Sequence, residues 1–311
     1  MFKRDPDITG VTLKLYFKWA AGTVVFHGAR VDGCEAPPDR FVKIVTTRLT
    51  PLEKETPEQR RARIVLLLER IKKEVAAPDL ILFSEGIPDI GMSLPYSVSA
   101  ETVPGPTSLL FSEWAKRLNC HIAGGIHEKL EGNFYNTALI LDRKGQLAGK
   151  YHKVHLTWNE SSGGIIPGDT FPVFDLDFGR VGIAICWDNW FGESARMLRL
   201  NGAELMLVPI AGDGIPEHRD HVWPARAAEQ GMAAAFSACY PSEDGICASR
   251  IFNPFGALVA QATENDSFAE GTVNLAERLR TLYLSVPCRG EGRSLYVRER
   301  RNGIYQRLDL P

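Results

Sequence analysis

A carboxylate, an ammonium and a thiol each close a run of apolar residues in this chain. Glu85 ends LILFSE, Lys153 follows GKYH, and Cys186 ends VGIAIC just before the aromatic and acidic WDNWF. Brought together, the three could carry out covalent catalysis. A free thiol is mostly protonated at neutral pH and is a weak nucleophile in that form. A neighbouring ammonium lowers its pKa, and a carboxylate can accept its proton. The same ammonium can donate to the oxyanion that forms when sulfur attacks a carbonyl or nitrile carbon. The backbone N–H of Trp187, directly after the thiol, is placed to be a second donor. Each residue also has an ordinary reading: Glu85 as a rim residue or cap, Lys153 as a solvated surface charge, Cys186 as a core thiol. The chemical reading gains from topology, because strands of α/β sheets deliver their C-terminal ends to one crevice. A strand that stops at a Cys and turns into a helix also resembles the elbow that presents a nucleophilic Ser.

The elements that must hold these residues follow a strand-then-helix rhythm from Phe41 onward. RFVKIVTT reads as a strand. In TPEQRRARIVLLLERIKKEV, Ile64, Leu67, Leu68, Ile71 and Val75 fall on one helical face. Thr56, Pro57 and Gln59 supply its N-cap, first-turn proline and capping-box partner. PDLILFSE is a continuous apolar run, as expected of a strand covered on both faces. The helix SLLFSEWAKRL leads to the strand HIAGGIHE, and NTALILDRKGQLAGKYHK reads as a hairpin turning at Lys144-Gly145. FPVFDL, VGIAIC, the helix ESARMLRLNG and the strand AELMLVP follow. A helix at WPARAAEQG, the strand AAAFSACY and two strands around Asn253-Pro254 complete the pattern. This order predicts an α/β sandwich with helices outside and mixed sheets within.

FSEGIP, GKYHKVHL and VGIAICWDNWF, in that order, resemble the three signature segments of the nitrilase or carbon–nitrogen hydrolase superfamily. The connecting segments GGIHEKLEGNFYNTALILD, IIPGDTFPVFD, NGAELMLVP and SRIFNPFGALVA extend the resemblance over about residues 41 to 309. It implies a four-layer α-β-β-α fold, a Glu85-Lys153-Cys186 triad and no metal or organic cofactor. A further acid common in the amidase branches matches Glu128, which would hold Lys153 or position substrate. Asp188 after Cys186-Trp187, and the run CWDNWFGESARMLRLNGAE, are similar to the amidase and N-carbamoyl amidohydrolase branch. The chain departs from the pattern at Ser84 and Gly192, where many members have Pro, and its stretch from Lys153 to Pro167 is short. Trp187, Trp190, Ala211, His218 and Arg219 are the candidate substrate-binding residues. The two His of DGIPEHRDHVW lack further ligands at metal spacing.

Composition narrows the partners. The chain has 311 residues, 44% of them apolar and 24% charged, as in ordinary globular proteins. A net charge of -2 offers no nucleic-acid or anionic-membrane surface. No run approaches a membrane span, and MFKRDPDITG lacks the pattern of a signal peptide. Six scattered cysteines without CxxC pairing read as free thiols, which places the protein in the cytoplasm. Residues 1–39 read as a β ribbon and linker, similar to the last strands of a β-sandwich module fused ahead of some bacterial relatives. The hydrolase domain spans 40–290. The tail 291–311, like the ribbon, has apolar side chains that a second copy would cover, so a homodimer or higher homo-oligomer is expected. The expected activity is hydrolysis of a small linear amide or N-carbamoyl amine. A nitrilase and a silent binding module are the alternatives.

Overall fold

The computed structural model describes residues 38–277 without interruption, together with 23, 25, 28, 280–283, 288–291, 297 and 299–305. The expected N-terminal ribbon and most of the expected interface tail lie outside these described residues.

Two six-stranded sheets form the interior. The first contains β1 (Phe41–Arg48), β2 (Leu80–Leu82), β3 (His121–Leu130), β4 (Asn133–Leu141), β5 (Leu147–His152) and β12 (Ser267–Asn274), in the order β12-β1-β2-β3-β4-β5. The second contains β6 (Val173–Leu176), β7 (Gly179–Ile183), β8 (Leu205–Pro209), β9 (Ala233–Ser237), β10 (Ser249–Phe252) and β11 (Leu258–Ala262), in the order β11-β10-β9-β8-β7-β6. β1, β2 and β3 run parallel, as do β7, β8 and β9, and the outer strands are antiparallel.

The pleat sorts side chains into three cores, because successive residues of a strand point to opposite faces. Ile44, Leu82, Ala138, Ile140 and Tyr151 of the first sheet meet Ile183, Leu205, Leu207, Ala235 and Ile251 of the second between the sheets. Ile81, Ile122 and Leu139 face outward and pack with Ile64, Leu68 and Ile71 of α1 (Pro57–Glu74) and with Phe111 and Trp114 of the next long helix, Pro106–Leu118. Met206, Val208 and Phe236 pack outward against Ala195 and Leu198 of the helix Gly192–Leu200 and Trp223 and Ala227 of the helix Trp223–Gln230. The result is the expected α-β-β-α sandwich.

Local signals explain the boundaries. The Thr56 hydroxyl accepts from the Gln59 N–H at 3.3 Å while the Gln59 side chain accepts from the Thr56 N–H at 2.8 Å, so α1 starts with a capping box. The β4–β5 turn closes on Asp142, whose Oδ1 accepts from the backbone N–H groups of Lys144 and Gln146, both at 2.8 Å. Among the described residues no helix is long and apolar enough to cross a membrane.

Candidate active site

Strand β7 ends at Ile183, and the chain turns at Cys186 into a 3₁₀ turn, Cys186–Trp190, that feeds the helix Gly192–Leu200. Cys186 has φ +44°, in the left-handed region that residues with a Cβ avoid. Such strain persists only where the surroundings impose it. Here Asp188, fully buried, imposes it with one oxygen on each side of the bend. Its Oδ2 accepts from the Ile185 N–H at 2.9 Å and the Tyr151 hydroxyl at 2.7 Å. Its Oδ1 accepts from the His155 N–H at 2.8 Å and lies 2.9 Å from His155 Nδ1. The thiol is thereby lifted out of the β7 ladder toward the first sheet.

Glu85 and Lys153 come from that first sheet, just beyond β2 and β5. The Lys153 ammonium donates to Glu85 Oε1 at 2.8 Å, and Asn136 Nδ2 donates to the same oxygen at 2.7 Å. The other Glu85 oxygen accepts from the Ala211 N–H at 3.0 Å, which ties the end of β8 to the carboxylate. Close approach needs Gly125: a Cβ there would stand 2.8 Å from the Glu85 Cα.

The electrostatics assign the protons. Burial pushes the Cys186 thiol well above its ordinary pKa, and the Glu85 carboxylate adds to the rise against the pull of Lys153 and the Ala211 N–H. The sequence expectation that an adjacent ammonium lowers the thiol pKa is therefore outweighed. Burial alone would lower the pKa of Lys153, but Glu85, Cys186 and Glu160 together raise it, so it stays an ammonium. A protonated thiol beside a carboxylate needs that carboxylate as a base at the moment of attack.

Glu128 does not hold Lys153. It sits on β3 one residue out of phase, so the pleat sends it to the outer face of the first sheet while His127, Asn136 and Lys153 face inward. There Glu128 accepts from Lys150 Nζ at 2.8 Å and Thr137 Oγ1 at 2.9 Å, and lies 2.9 Å from His152 Nε2. The acid on Lys153 is Glu160, which the sequence reading missed. Both of its oxygens accept from the ammonium, at 3.0 and 2.9 Å, and Asn136 Nδ2 donates to Oε1 at 2.6 Å. Burial would raise the pKa of Glu160, but Lys153 and Asn136 hold it below the usual glutamate value.

Residues 45–280 match the family described as carbon-nitrogen hydrolase. The chain belongs to the carbon-nitrogen hydrolase family. Omega-amidase NIT2 of Homo sapiens is 30% identical over 219 residues, covering 64% of this chain and 78% of that protein. A chloroplastic omega-amidase of Arabidopsis thaliana is 32% identical over 225 residues, covering 66% of this chain and 57% of that protein. A mutant of the amidase from Nesterenkonia sp. AN1 shows covalent addition of the acetamide moiety of fluoroacetamide at its active site cysteine. It has the same fold, with a TM-score of 0.70 at 22% identity over 89% of this chain and 100% of that one. The protein is thus a cysteine-dependent hydrolase of C–N bonds.

The remaining candidate residues of the hydrolase divide. Trp187 and Trp190 are half-buried, their ring centroids 5.0 Å apart, and Trp190 stacks on His218 at 3.9 Å and 9°. Ala211 reaches the centre through its N–H, as above. The expectation of a substrate contact from Arg219 is corrected. Its guanidinium is spent on Asp220 and Asp244, at 2.8 Å each, and on the Ile246 carbonyl at 3.0 Å. Two aspartates thus hold this side chain of the π-helical turn His218–Val222.

Proposed function

We propose that the hydrolase cleaves a small linear amide or N-carbamoyl amine through a thioester or thiocarbamate on Cys186. The observation that carries this reading is the Lys153–Glu85 pair at 2.8 Å in electrostatic contact with a protonated, half-buried thiol. Glu85 takes the thiol proton as sulfur attacks the carbonyl carbon. The oxygen of the tetrahedral intermediate is met by the Lys153 ammonium and the Trp187 N–H. Glu85 then returns its proton to the leaving nitrogen, and ammonia or an amine departs. Water, deprotonated by Glu85, attacks the acyl carbon and releases Cys186 as a thiol.

Relatives named omega-amidases support an amide over a nitrile. The test is ammonia release from a panel of linear amides, N-carbamoyl amines and nitriles. Turnover of amides or carbamoyl amines that disappears in Cys186→Ala is expected. Release from nitriles alone would move the assignment to a nitrilase, and no release from any of them would leave a binding module.

A further inference from the structure

Glu85 and Glu160 converge on the same two nitrogen atoms. Glu85 Oε1 accepts from Lys153 Nζ at 2.8 Å and from Asn136 Nδ2 at 2.7 Å. Glu160 Oε1 accepts from the same ammonium at 3.0 Å and from the same amide nitrogen at 2.6 Å. Two buried carboxylates thus face a single ammonium, which leaves negative charge in excess. Acids placed so close tend to share a proton, because like charges resist joint ionisation. A proton held between them would disarm Glu85, since a protonated base cannot take the thiol proton.

The Asn136 amide stands in that place instead. Its nitrogen carries two N–H groups, and the two carboxylate oxygens supply one acceptor for each. The reversed amide would turn Oδ1 toward both acids, so the acids fix which end faces them. The consequence shows at the other end, where Oδ1 is buried without a partner. An orphaned acceptor calls for an explanation, and here it is the demand of two carboxylates on the nitrogen. The backbone holds the amide in register with the ammonium, because the Asn136 carbonyl accepts from the Lys153 N–H at 2.9 Å.

We infer that Asn136 is a positioning residue for the base. Its two N–H groups replace a proton that Glu85 and Glu160 would otherwise share, which leaves Glu85 free to accept the Cys186 proton. This deepens the proposed function and rests on Glu85 being the base.

The other ionisable groups nearby act in a different pH range. His127, paired across the strands with Asn136, lies 2.8 Å from Asp89 Oδ2 through its Nδ1. Burial would lower the His127 pKa, but Asp89, with Glu85 and Glu160 beyond it, raises it. Its proton is therefore lost on the alkaline side. Tyr96 packs on His127 with ring centroids 4.7 Å apart. Burial, Glu160, Asp89 and Glu85 push its phenol up to about 12, so it stays neutral. Burial likewise keeps Cys186 a thiol. Both N–H groups of Asn136 are on Glu85 and Glu160, so an acid-side change on altering Asn136 belongs to that pair of acids.

The test is the pH dependence of Cys186 alkylation by iodoacetamide, read by peptide mapping. Asn136→Ala should move the acid-side fall in alkylation upward by about one to two pH units, the size of one hydrogen bond to a charged group. Asn136→Asp keeps the shape and adds a third acid, so it should move the fall at least as far, and it decides the matter if the alanine variant does not fold. At the alkaline plateau both should stay within a few-fold of wild type. An acid-side limb that does not move would overturn the role. So would a loss uniform across pH, which is the mark of a purely structural part. Wild-type alkylation that already falls off above neutral pH would overturn it too, since the acids would then share a proton despite the amide. Glu85→Gln separates the two proposals. If it leaves alkylation unslowed, the base assignment fails. If it slows alkylation while the Asn136 variants leave the limb in place, only the role of the amide fails.

Discussion

Glu160 grips the Lys153 ammonium with both carboxylate oxygens, at 3.0 and 2.9 Å. A lysine on a flexible stem has many rotamers, and an oxyanion donor is useful only if it is already aimed. Glu160 is itself fixed, because its Oε2 accepts from the Thr157 N–H at 2.8 Å and the Thr157 hydroxyl at 2.9 Å. The chain from Thr157 through Glu160 to Lys153 thus sets where the ammonium points.

Glu160→Gln should accordingly lower kcat by about 10²-fold, the cost of displacing a catalytic group by an ångström or so. Glu128→Gln, on the outer face of the sheet, should stay within a few-fold of wild type. Steady-state ammonia release on one amide compares the two. The reverse order would return the supporting role to Glu128.

Removing the nucleophile or its donor should be more severe. Cys186→Ala should abolish turnover with the fold intact by circular dichroism. Cys186→Ser should be nearly as inactive, since an alcohol is far harder to ionise than a thiol. Lys153→Ala loses one oxyanion donor, worth about 10²–10³ in rate.

Iodoacetamide gives a second view of the same thiol. Cys120, Cys239 and Cys247 are buried, whereas Cys186 is half-buried with a base beside it. Peptide mapping should find Cys186 alkylated before those three, and Glu85→Gln should slow its labelling selectively. Uniform labelling would contradict an accessible, base-assisted sulfur.

The bend at Cys186 depends on Asp188, which accepts from four donors between 2.7 and 2.9 Å. Asp188→Ala would leave buried donors unpaired at about 1–3 kcal/mol each. An overall loss of roughly 3–5 kcal/mol is expected, since relaxation recovers part of that sum. Urea unfolding would measure it, and a loss below about 1 kcal/mol would show that the bend holds itself.

Most of the sandwich was legible because its strands and helices carry strong periodicity, as in α1, and because turn residues such as Gly145 and Asn253 punctuate them. β12 was not, since SFAEGTVN has few large apolar residues and owes its strand to pairing with β1. Glu85, Lys153 and Cys186 could be singled out by their places at strand ends. Glu160 could not, because Thr157-x-x-Glu160 reads as a capping box, which it also forms. Glu128 was misplaced by the parity of a single strand position.

The displaced acid makes its own prediction. Burial would raise the pKa of Glu128, but hydrogen bonds from His152, Lys150 and Thr137 prevail and lower it from 4.5 to about 2. A carboxyl group depressed by folding binds fewer protons folded than unfolded, so it stabilises the protein above its unfolded pKa. That stabilisation is lost as pH falls from about 5 toward the folded value near 2. Its full size at neutral pH is on the order of 3 kcal/mol at most. The difference in unfolding free energy between wild type and Glu128→Gln should therefore be greatest near pH 7 and fall to less than about half by pH 3. Urea melts at the two pH values decide it. A difference that stays constant, or grows toward acid, would mean that Glu128 is not held as a carboxylate by Lys150 and His152.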